Sequence, residues 1–384
     1  MSETATITKS ELVARAEALI PVLAERALAT EQAGRVLPET IDDLINAGLM
    51  RIGTPARWGG QGLDYDTVWE VGATLGQGCG STAWCFMVSS VHSWQMGLAP
   101  EEAQQEFYTT PDQISSSGPP GKCESVDGGW TVQGRWPFSS GVDNAQWLLP
   151  MAFTREYGMV SLLIPKADAR VVDDWDVAGL RGTGSKSVVF DEPTFVPAHR
   201  YMPFSGAGSP EAHAAHGRAL YGAPLLSVIA HTLAAPLVGM AQGMVDEFAE
   251  RMKSRRSSSG TSQTDSVGQQ LRIAEASAMV DAAWSIGRTN LAELTERGAQ
   301  DDTFTDLDRA RFRRDHWFMG KLSVMAANRL FEGAGGGSLY SSDPLQRFHR
   351  DIHAGSHQIA LDPDVVGELY GRARFGLELA PGTW

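Results

Sequence analysis

The chain has 384 residues and a formal net charge of −14 at pH 7. This length allows a substantial buried core and predicts two or three domains. The negative charge argues against binding to nucleic acids or to anionic membranes, because both require a cationic protein surface.

The start of the chain and its cysteines indicate where the protein works. Residues 1–10 carry no apolar run and no later segment is a long uninterrupted apolar span, so we expect neither a secretory signal nor a membrane span. Cys79, Cys85 and Cys123 have no CxxC spacing and cannot all pair with one another. They indicate buried thiols in a reducing compartment. We therefore expect a cytoplasmic protein with small-molecule or protein partners.

Residues 1–112 are predicted to form an N-terminal helical domain. Apolar residues at three- and four-residue spacings mark its first helix, and a second helix opens near Thr40. The first apolar stripe comprises Leu12, Ala16, Leu19, Leu23 and Ala27.

Residues 113–205 are predicted to form a middle antiparallel β domain. The apolar period changes to two in three segments that Gly, Asp and Pro turns separate. These segments span 129–136, 147–153 and 160–165.

Residues 206–384 are predicted to form a C-terminal helical bundle. A loop rich in Gly, Ala and His over 205–217 precedes the long helical patterns. These patterns span 225–254, 266–297, 307–332 and 345–360. The order of helices, sheet and helices predicts an α+β fold that is mostly α.

Several motifs resemble those of the acyl-CoA dehydrogenases. The segment Gly179-Leu-Arg-Gly-Thr-Gly-Ser-Lys-Ser-Val-Val-Phe-Asp-Glu-Pro resembles a signature strand pair of that fold. Further motifs follow in the order expected for the family, namely Gly48-Leu-Met-Arg-Ile-Gly-Thr-Pro, Trp58-Gly-Gly, Gly335-Gly-Gly, Arg347 and Arg350-Asp351. The resemblance implies an acyl-CoA dehydrogenase-like fold that holds a flavin.

The resemblance also implies contacts to the flavin phosphate. In the family an Arg closes a long helix and a Gly follows four residues later, and Arg256 and Gly260 match this spacing. Gly336 lies in the glycine run that approaches a neighbouring subunit's flavin. By composition alone, residues 255–265 are typical of a solvated loop. Short nucleotide motifs are absent, so flavin binding rests on the resemblance.

The base that an acyl-CoA dehydrogenase needs is missing from its usual place. In that family a glutamate follows the Arg-Asp pair, but here no glutamate occurs between Asp351 and Glu368. Some dehydrogenases place the base on the helix that here carries Glu247. A dehydrogenase using Glu247 is therefore the alternative function, although the alternating charges around Glu247 are typical of an exposed helix face.

Four segments together resemble the flavin-dependent monooxygenases built on this fold. The segments are 81–95, 115–118, 135–141 and His357. The resemblance is to the oxygenase components of two-component p-hydroxyphenylacetate, steroid-phenol and indole hydroxylases. It implies that reduced FAD or FMN reacts with O2 to give a C4a-hydroperoxide, which hydroxylates a phenolic or indolic substrate. The sequence has no nicotinamide-binding βαβ pattern, so a separate NAD(P)H:flavin reductase is the expected source of reduced flavin.

His92 and Trp84 are the first candidate site residues. They lie eight residues apart, about two helical turns, and hence on the same broad side of one helix. An imidazole, with an ordinary pKa near 6.5, can accept a phenol or indole proton near neutral pH. Trp84 is assigned to substrate or flavin stacking. For both residues, a role in core packing is the alternative.

Two serine segments supply hydroxyl groups. Within 115–117 the choice for a substrate and flavin contact is Ser117, with local backbone hydrogen bonds as the alternative. By resemblance, Ser140, with Gly141, lies where the family places a strand end against the flavin. A hydroxyl there is expected to hold the proton near flavin N5.

His357 is expected to approach the flavin by resemblance and to protonate and steady the peroxide. His349, His353 and His357 recur every four residues, which is also a metal-ligand spacing. No acidic or cysteine ligand stands convincingly beside them, so we expect no metal.

The long C-terminal helices would expose apolar stripes in an isolated chain, which favours a homotetramer. A flavin storage or scaffold protein remains a third functional hypothesis. It would leave His92, Ser117 and His357 without a joint purpose.

Overall fold

The computed structural model describes residues 7–204, 208–256 and 260–379. Its helices are α1 (Lys9–Ala33), α2 (Pro38–Asn46), α3 (Tyr65–Gly76), α4 (Gly80–Gln95), α5 (Glu101–Phe107), α6 (Pro210–His216), α7 (Leu225–Ile229), α8 (Ala234–Ser254), α9 (Val267–Gly298), α10 (Asp306–Ala334), α11 (Pro344–Ser356) and α12 (Pro363–Arg374). Its strands are β1 (Ser115–Gly121), β2 (Cys123–Val126), β3 (Gly129–Ser139), β4 (Trp147–Thr154), β5 (Gly158–Leu162), β6 (Ile164–Pro165), β7 (Arg170–Val172), β8 (Lys186–Pro197) and β9 (Tyr201–Pro203).

This order confirms the predicted fold class, an α+β fold in which helices precede and follow a block of strands. The boundary that the sequence analysis places between residues 205 and 206 lies outside the described residues.

The strands form two sheets. One has the order β1-β4-β5-β9 with β6 on β4, and the other has the order β2-β3-β8-β7. All pairs among the described strands are antiparallel except β1 and β4, which run parallel with Ser115 beside Trp147. A parallel pair needs a crossover, and here β2 and β3 provide it in the second sheet. The end of β3 then lies beside the start of β1, where the Ser116 hydroxyl donates to the Ser140 carbonyl.

Helix α8 lies at the centre of the C-terminal bundle and packs closely on α3. At Gly239 a Cβ atom would come within 1.9 Å of the Ala73 carbonyl oxygen, so glycine is required for this approach. By length and composition alone the stretch Leu225–Ser254 could cross a membrane, since an 18-residue window in it has a mean hydropathy of 1.5. However, 78% of its apolar window is buried inside the protein, as in a core helix.

Two predictions about the start of the bundle are wrong. The helix predicted over 225–254 is broken between α7 and α8, because Pro236 has no N–H to donate and is tolerated in a first helical turn. The loop predicted over 205–217 contains α6. Ser209 accepts a hydrogen bond from the Ala212 N–H (3.2 Å) and Pro210 follows it, which together are an N-terminal helix signal.

Candidate active site

One face of α4 presents two of the predicted residues. Trp84 and His92 are 7% and 6% exposed, and Val88 lies between them, partly buried. The spacing of four residues places all three on one side of the helix. This face, with the start of β1 and the end of β3, is called the α4 site.

His92 is hydrogen-bonded to the first residue of β1. Its Nδ1 lies 3.1 Å from the Ser115 Oγ, and the Ser115 N–H donates to the Ser89 Oγ at 3.3 Å. Burial lowers the pKa of His92 from 6.5 to about 4. The imidazole is therefore neutral at pH 7 and able to accept a proton, although it is a weaker base than the ordinary value suggests.

The three serines of β1 have different partners. Ser116 faces away from His92, and its hydroxyl donates to the Ser140 carbonyl at 2.9 Å. Ser117 is partly buried and shares a strand face with Ser115, roughly 7 Å further along. The structure thus places Ser115 at the His92 imidazole and Ser117 beyond it on the same face. The sequence analysis did not single out Ser115 because the register of β1 against α4 is a long-range property.

Ser140 is joined to Trp84. The Trp84 Nε1–H donates to the Ser140 Oγ at 3.1 Å, and that oxygen lies 2.7 Å from the Ser185 Oγ. Gly141 follows with a φ of +73°, and its N–H donates to the Thr183 carbonyl at 2.8 Å. A side chain would be strained at this φ, which explains the glycine. The structure therefore brings Trp84, Ser140 and Gly141 together.

Phe138 has a backbone conformation and an exposure that its sequence did not predict. It has a φ of +60° and is 62% exposed. Its ring packs edge-on against Trp175, with centroids 5.9 Å apart. A bulky residue in this backbone region is strained, and strain of this kind gathers at ligand sites. The preceding Pro137 was the only local signal.

Helix α11 closes the site from the bundle side. A Cβ at Gly355 would lie 3.1 Å from the Trp84 ring and 2.8 Å from the Leu237 side chain. The Leu180 N–H donates to the Asp351 Oδ1 at 2.6 Å, and burial raises the pKa of Asp351 to about 6. His357 caps the end of α11 and is exposed. It thus lies two residues beyond the contact with Trp84.

Arg256 and Gly336 lie away from the α4 site. Helix α8 carries the chain about 25 Å from Leu237 to its end. Beyond that end Arg256 is exposed, with its backbone bridged to Ser262. Gly336 has open space around its Cα. The neighbouring Arg255 instead donates to the Ala334 carbonyl and lies against Gly335.

Glu247 also lies outside the α4 site. It is on α8 about 15 Å beyond Leu237, and its carboxylate pairs with Arg251 at 3.7 Å. Partial burial raises its pKa, and its side chain is 38% exposed. The alternative dehydrogenase base is therefore remote from Trp84 and Ser140.

Two histidines near the end of the chain, His349 and His353 of α11, lie within hydrogen-bond distance of Asn328 on α10. The His349 Nε2 and the His353 Nε2 lie 2.9 and 2.8 Å from the Asn328 Oδ1. Among the residues that the structure describes, no group of three or more His, Cys, Asp or Glu side chains could hold a metal ion.

Comparison with known proteins identifies the family. Residues 12–111 match the acyl-CoA dehydrogenase N-terminal domain, and residues 231–363 match the acyl-CoA dehydrogenase C-terminal domain. The chain is 36% identical over 377 residues to the flavin-dependent monooxygenase oxygenase subunit HsaA of Rhodococcus jostii, covering 95% of this chain and 98% of that protein. The chain belongs to the flavin-dependent monooxygenases of the acyl-CoA dehydrogenase fold.

Two further relatives agree. The monooxygenase is 33% identical to the oxygenase component of the FADH2-dependent resorcinol hydroxylase of a Rhizobium species, with 96% of this chain and 94% of that protein covered. It superposes on the crystal structure of the 3-HSA hydroxylase from a Rhodococcus species with a TM-score of 0.90 at 34% identity, covering 97% and 99% of the two chains.

The buried histidines predict how the stability of the monooxygenase depends on pH. Burial lowers the pKa of both His92 and His231 to about 4, below the unfolded value of about 6.5. The unfolded state therefore binds more protons between these values. Each histidine therefore contributes roughly 3 kcal/mol to the free energy of unfolding. This contribution is fully present above pH 6.5 and is lost as the pH falls towards 4. Asp351, whose pKa is raised, acts in the opposite direction.

We expect the free energy of unfolding, measured by urea titration from pH 7 to 4.5, to fall less steeply in His92→Gln and in His231→Gln than in the wild type. An unchanged slope in both variants would contradict the assignment of neutral buried imidazoles.

Proposed function

We propose that the protein is the oxygenase component of a two-component monooxygenase that hydroxylates a phenolic or indolic ring. The observation that carries the proposal is the α4 site itself. There a neutral buried imidazole, an indole and a buried hydroxyl lie on one helix face and the two strands beside it. Its relatives include a resorcinol hydroxylase, which supports an aromatic substrate. Localisation in the cytoplasm remains part of the proposal.

The residues present fit reduced FAD or FMN. The exposed, strained Phe138 offers an aromatic face, and Ser140 and Gly141 stand beside it with a hydroxyl and an unobstructed backbone. When bound, reduced flavin supplies the electrons that activate O2 for transfer of one oxygen atom to the ring. Gly336 and Arg256, at the far end of the bundle, are proposed to hold the phosphate part of the flavin of a neighbouring subunit.

His92 is proposed to act on the substrate proton. Because it is neutral at pH 7, its ring can accept the proton of a phenol hydroxyl or an indole N–H. Ser115 binds one ring nitrogen, which leaves Nε2 for the substrate. Loss of that proton raises the electron density of the aromatic ring. Ser117, on the same strand face, is proposed to bind a substrate hydroxyl.

Trp84 and His357 are proposed to control access and protons on the flavin side. The Trp84 ring lies close to Gly355 of α11 and is proposed to exclude water from the space between α4 and α11. His357 at the end of α11 is exposed and is proposed to deliver or take protons as oxygen is reduced. The resorcinol hydroxylase relative is an oxygenase component, and the parallel pair β1 and β4 of this chain is joined through β2 and β3 rather than through a helix. A separate NAD(P)H:flavin reductase is therefore the proposed electron source.

Substitution of His92 tests this function. With reduced flavin and a panel of phenols and indoles, the wild type should form hydroxylated product. We expect His92→Ala to slow product formation about a hundred- to ten-thousand-fold, which is typical of general-base catalysis, while flavin reoxidation by O2 persists and releases hydrogen peroxide. Rapid mixing followed by product analysis measures both.

His353→Ala is the matched control, because His353 contacts Asn328 outside the α4 site and should retain the wild-type rate. If no aromatic compound is hydroxylated by the wild type, or if His92→Ala is as fast as the control, the proposed function is wrong.

A homotetramer is proposed from the exposed apolar side chains of the C-terminal third. Phe318 and Met325 are 38% and 42% exposed on one face of α10, and other apolar side chains are exposed nearby in sequence. These are Leu339, Tyr340, Ile359, Val365 and Phe375. Such surfaces are usually covered in an assembly.

Light scattering should give four times the mass of one chain. The double variant Phe318→Glu/Met325→Glu should dissociate, because charges would enter an apolar interface. Phe153→Glu, an exposed site in the β domain, should remain tetrameric. A wild-type monomer that still binds flavin tightly would refute the tetramer.

A further inference from the structure

A continuous row of hydrogen bonds leads away from Ser140 into the protein. The Trp84 Nε1 lies 3.1 Å from the Ser140 Oγ, which lies 2.7 Å from the Ser185 Oγ. The Ser185 Oγ lies 2.7 Å from the Thr183 Oγ1, which lies 2.8 Å from the Leu180 carbonyl oxygen. The row therefore joins one indole, three hydroxyls and one carbonyl by four contacts.

Only one arrangement of the hydrogens makes all four contacts hydrogen bonds. The indole N–H can only donate and the carbonyl can only accept, while each hydroxyl has a single hydrogen. Thr183 must therefore donate to Leu180, Ser185 to Thr183, and Ser140 to Ser185. The Ser140 hydrogen points into the protein, and its oxygen keeps one lone pair for a further partner.

Burial and backbone hydrogen bonds hold the members of the row in place. Thr183 is 1% exposed and Ser185 is 5% exposed, whereas Ser140 is 8% exposed and lies at the open end. The Thr183 carbonyl accepts the Gly141 N–H at 2.8 Å, and the Ser140 carbonyl accepts the Ser116 hydroxyl at 2.9 Å. A reversed row would place the Thr183 Oγ1 and the Leu180 carbonyl oxygen 2.8 Å apart with no hydrogen between them, at the cost of that one hydrogen bond. The Leu180 carbonyl would still accept the N–H groups of Thr183 and Trp175.

We infer that Ser185 and Thr183 are positioning residues that make Ser140 a hydrogen-bond acceptor and thereby select reduced over oxidised flavin. The inference rests on the proposed function and on the expectation from the sequence that the Ser140 hydroxyl lies at flavin N5. Reduced flavin carries a hydrogen on N5 and can donate it to the open lone pair of Ser140. Oxidised flavin has a bare lone pair on N5, so two acceptors would face each other.

This selection suits an enzyme that receives reduced flavin from another protein and releases oxidised flavin after turnover. A preference for one redox state requires an interaction that differs between the two states. The directed row provides such an interaction without a charged side chain.

Flavin binding to Ser185→Ala tests the inference without relying on turnover. The dissociation constant of oxidised flavin is measured by fluorescence titration, and that of reduced flavin by anaerobic titration. Wild-type protein should bind the reduced form more tightly. In Ser185→Ala the Ser140 hydrogen loses its acceptor and can turn to N5. Oxidised flavin should then bind about tenfold more tightly, the worth of about one hydrogen bond, with reduced flavin little changed.

The midpoint potential of the bound flavin is a second readout. The potential rises with the ratio of the dissociation constant for oxidised flavin to that for reduced flavin. A tenfold fall in that ratio should therefore lower the potential by about 30 mV for a two-electron couple. Ser185→Thr keeps the hydroxyl and should restore the wild-type ratio. Ser139→Ala, whose hydroxyl points instead to the Trp136 carbonyl, is the matched control and should keep it too.

Thr183→Val is the second variant, because it removes the anchor of the row while Ser185 remains. In Thr183→Val the ratio of the oxidised-flavin to the reduced-flavin dissociation constant should also fall. This variant provides the test if Ser185→Ala does not fold. An unchanged ratio in a folded variant, or a parallel weakening of both flavin forms, would overturn the inference while leaving the proposed function intact. Failure of the wild type to bind either form would instead refute the proposed function.

Discussion

The Trp84 side chain is the contact on which the site depends, because it joins all three parts of the chain. Its indole N–H donates to Ser140 at the end of β3 (3.1 Å), and its ring lies against Gly355 of α11. Trp84 itself belongs to α4 of the first helical part. Gly355 permits this approach, since a Cβ there would be 3.1 Å from the ring. Disturbing the indole would therefore move the β3 end, α4 and α11 relative to one another.

The α4 site works with neutral groups. Burial keeps His92 uncharged at pH 7, and the residues around Ser140 contribute hydroxyls, an indole and backbone groups. Asp351 is a buried carboxyl group that accepts the Leu180 N–H and does not bond to the hydroxyls of the row. In a buried setting a hydrogen bond is stronger than in water, and an unpaired polar atom is costly. Hydroxyl direction, rather than charge, is thus available to distinguish ligands.

Patterns local in sequence predicted much of this structure. The change from a helical period to a period of two, and back, predicted the order of helices and strands, and the eight-residue spacing placed Trp84 and His92 on one face. The partner of His92 could not be predicted, because Ser115 meets it only through the register of β1 against α4. Pro236 was a local signal for the break before α8, but the apolar pattern over 225–254 predicted one continuous helix.

The exposed and strained Phe138 could not be predicted for a related reason. Its φ of +60° lies where the pairing of β3 with β8 shifts register between Trp136 and Ser139, and a register shift is a property of two strands that are distant in sequence. The row likewise depends on one long-range contact, which joins Ser140 to Ser185, 45 positions further along the chain. Its members were present in the quoted motifs, but their pairing arises from the return of β3 beside the segment before β8.

The most direct test of the account is an anaerobic crystal structure of the protein with reduced flavin and a phenolic substrate. The account predicts the flavin ring against Phe138, with N5 within hydrogen-bond distance of the Ser140 Oγ. It also predicts the phenol oxygen near the His92 Nε2. Flavin bound elsewhere, or substrate distant from His92, would contradict it.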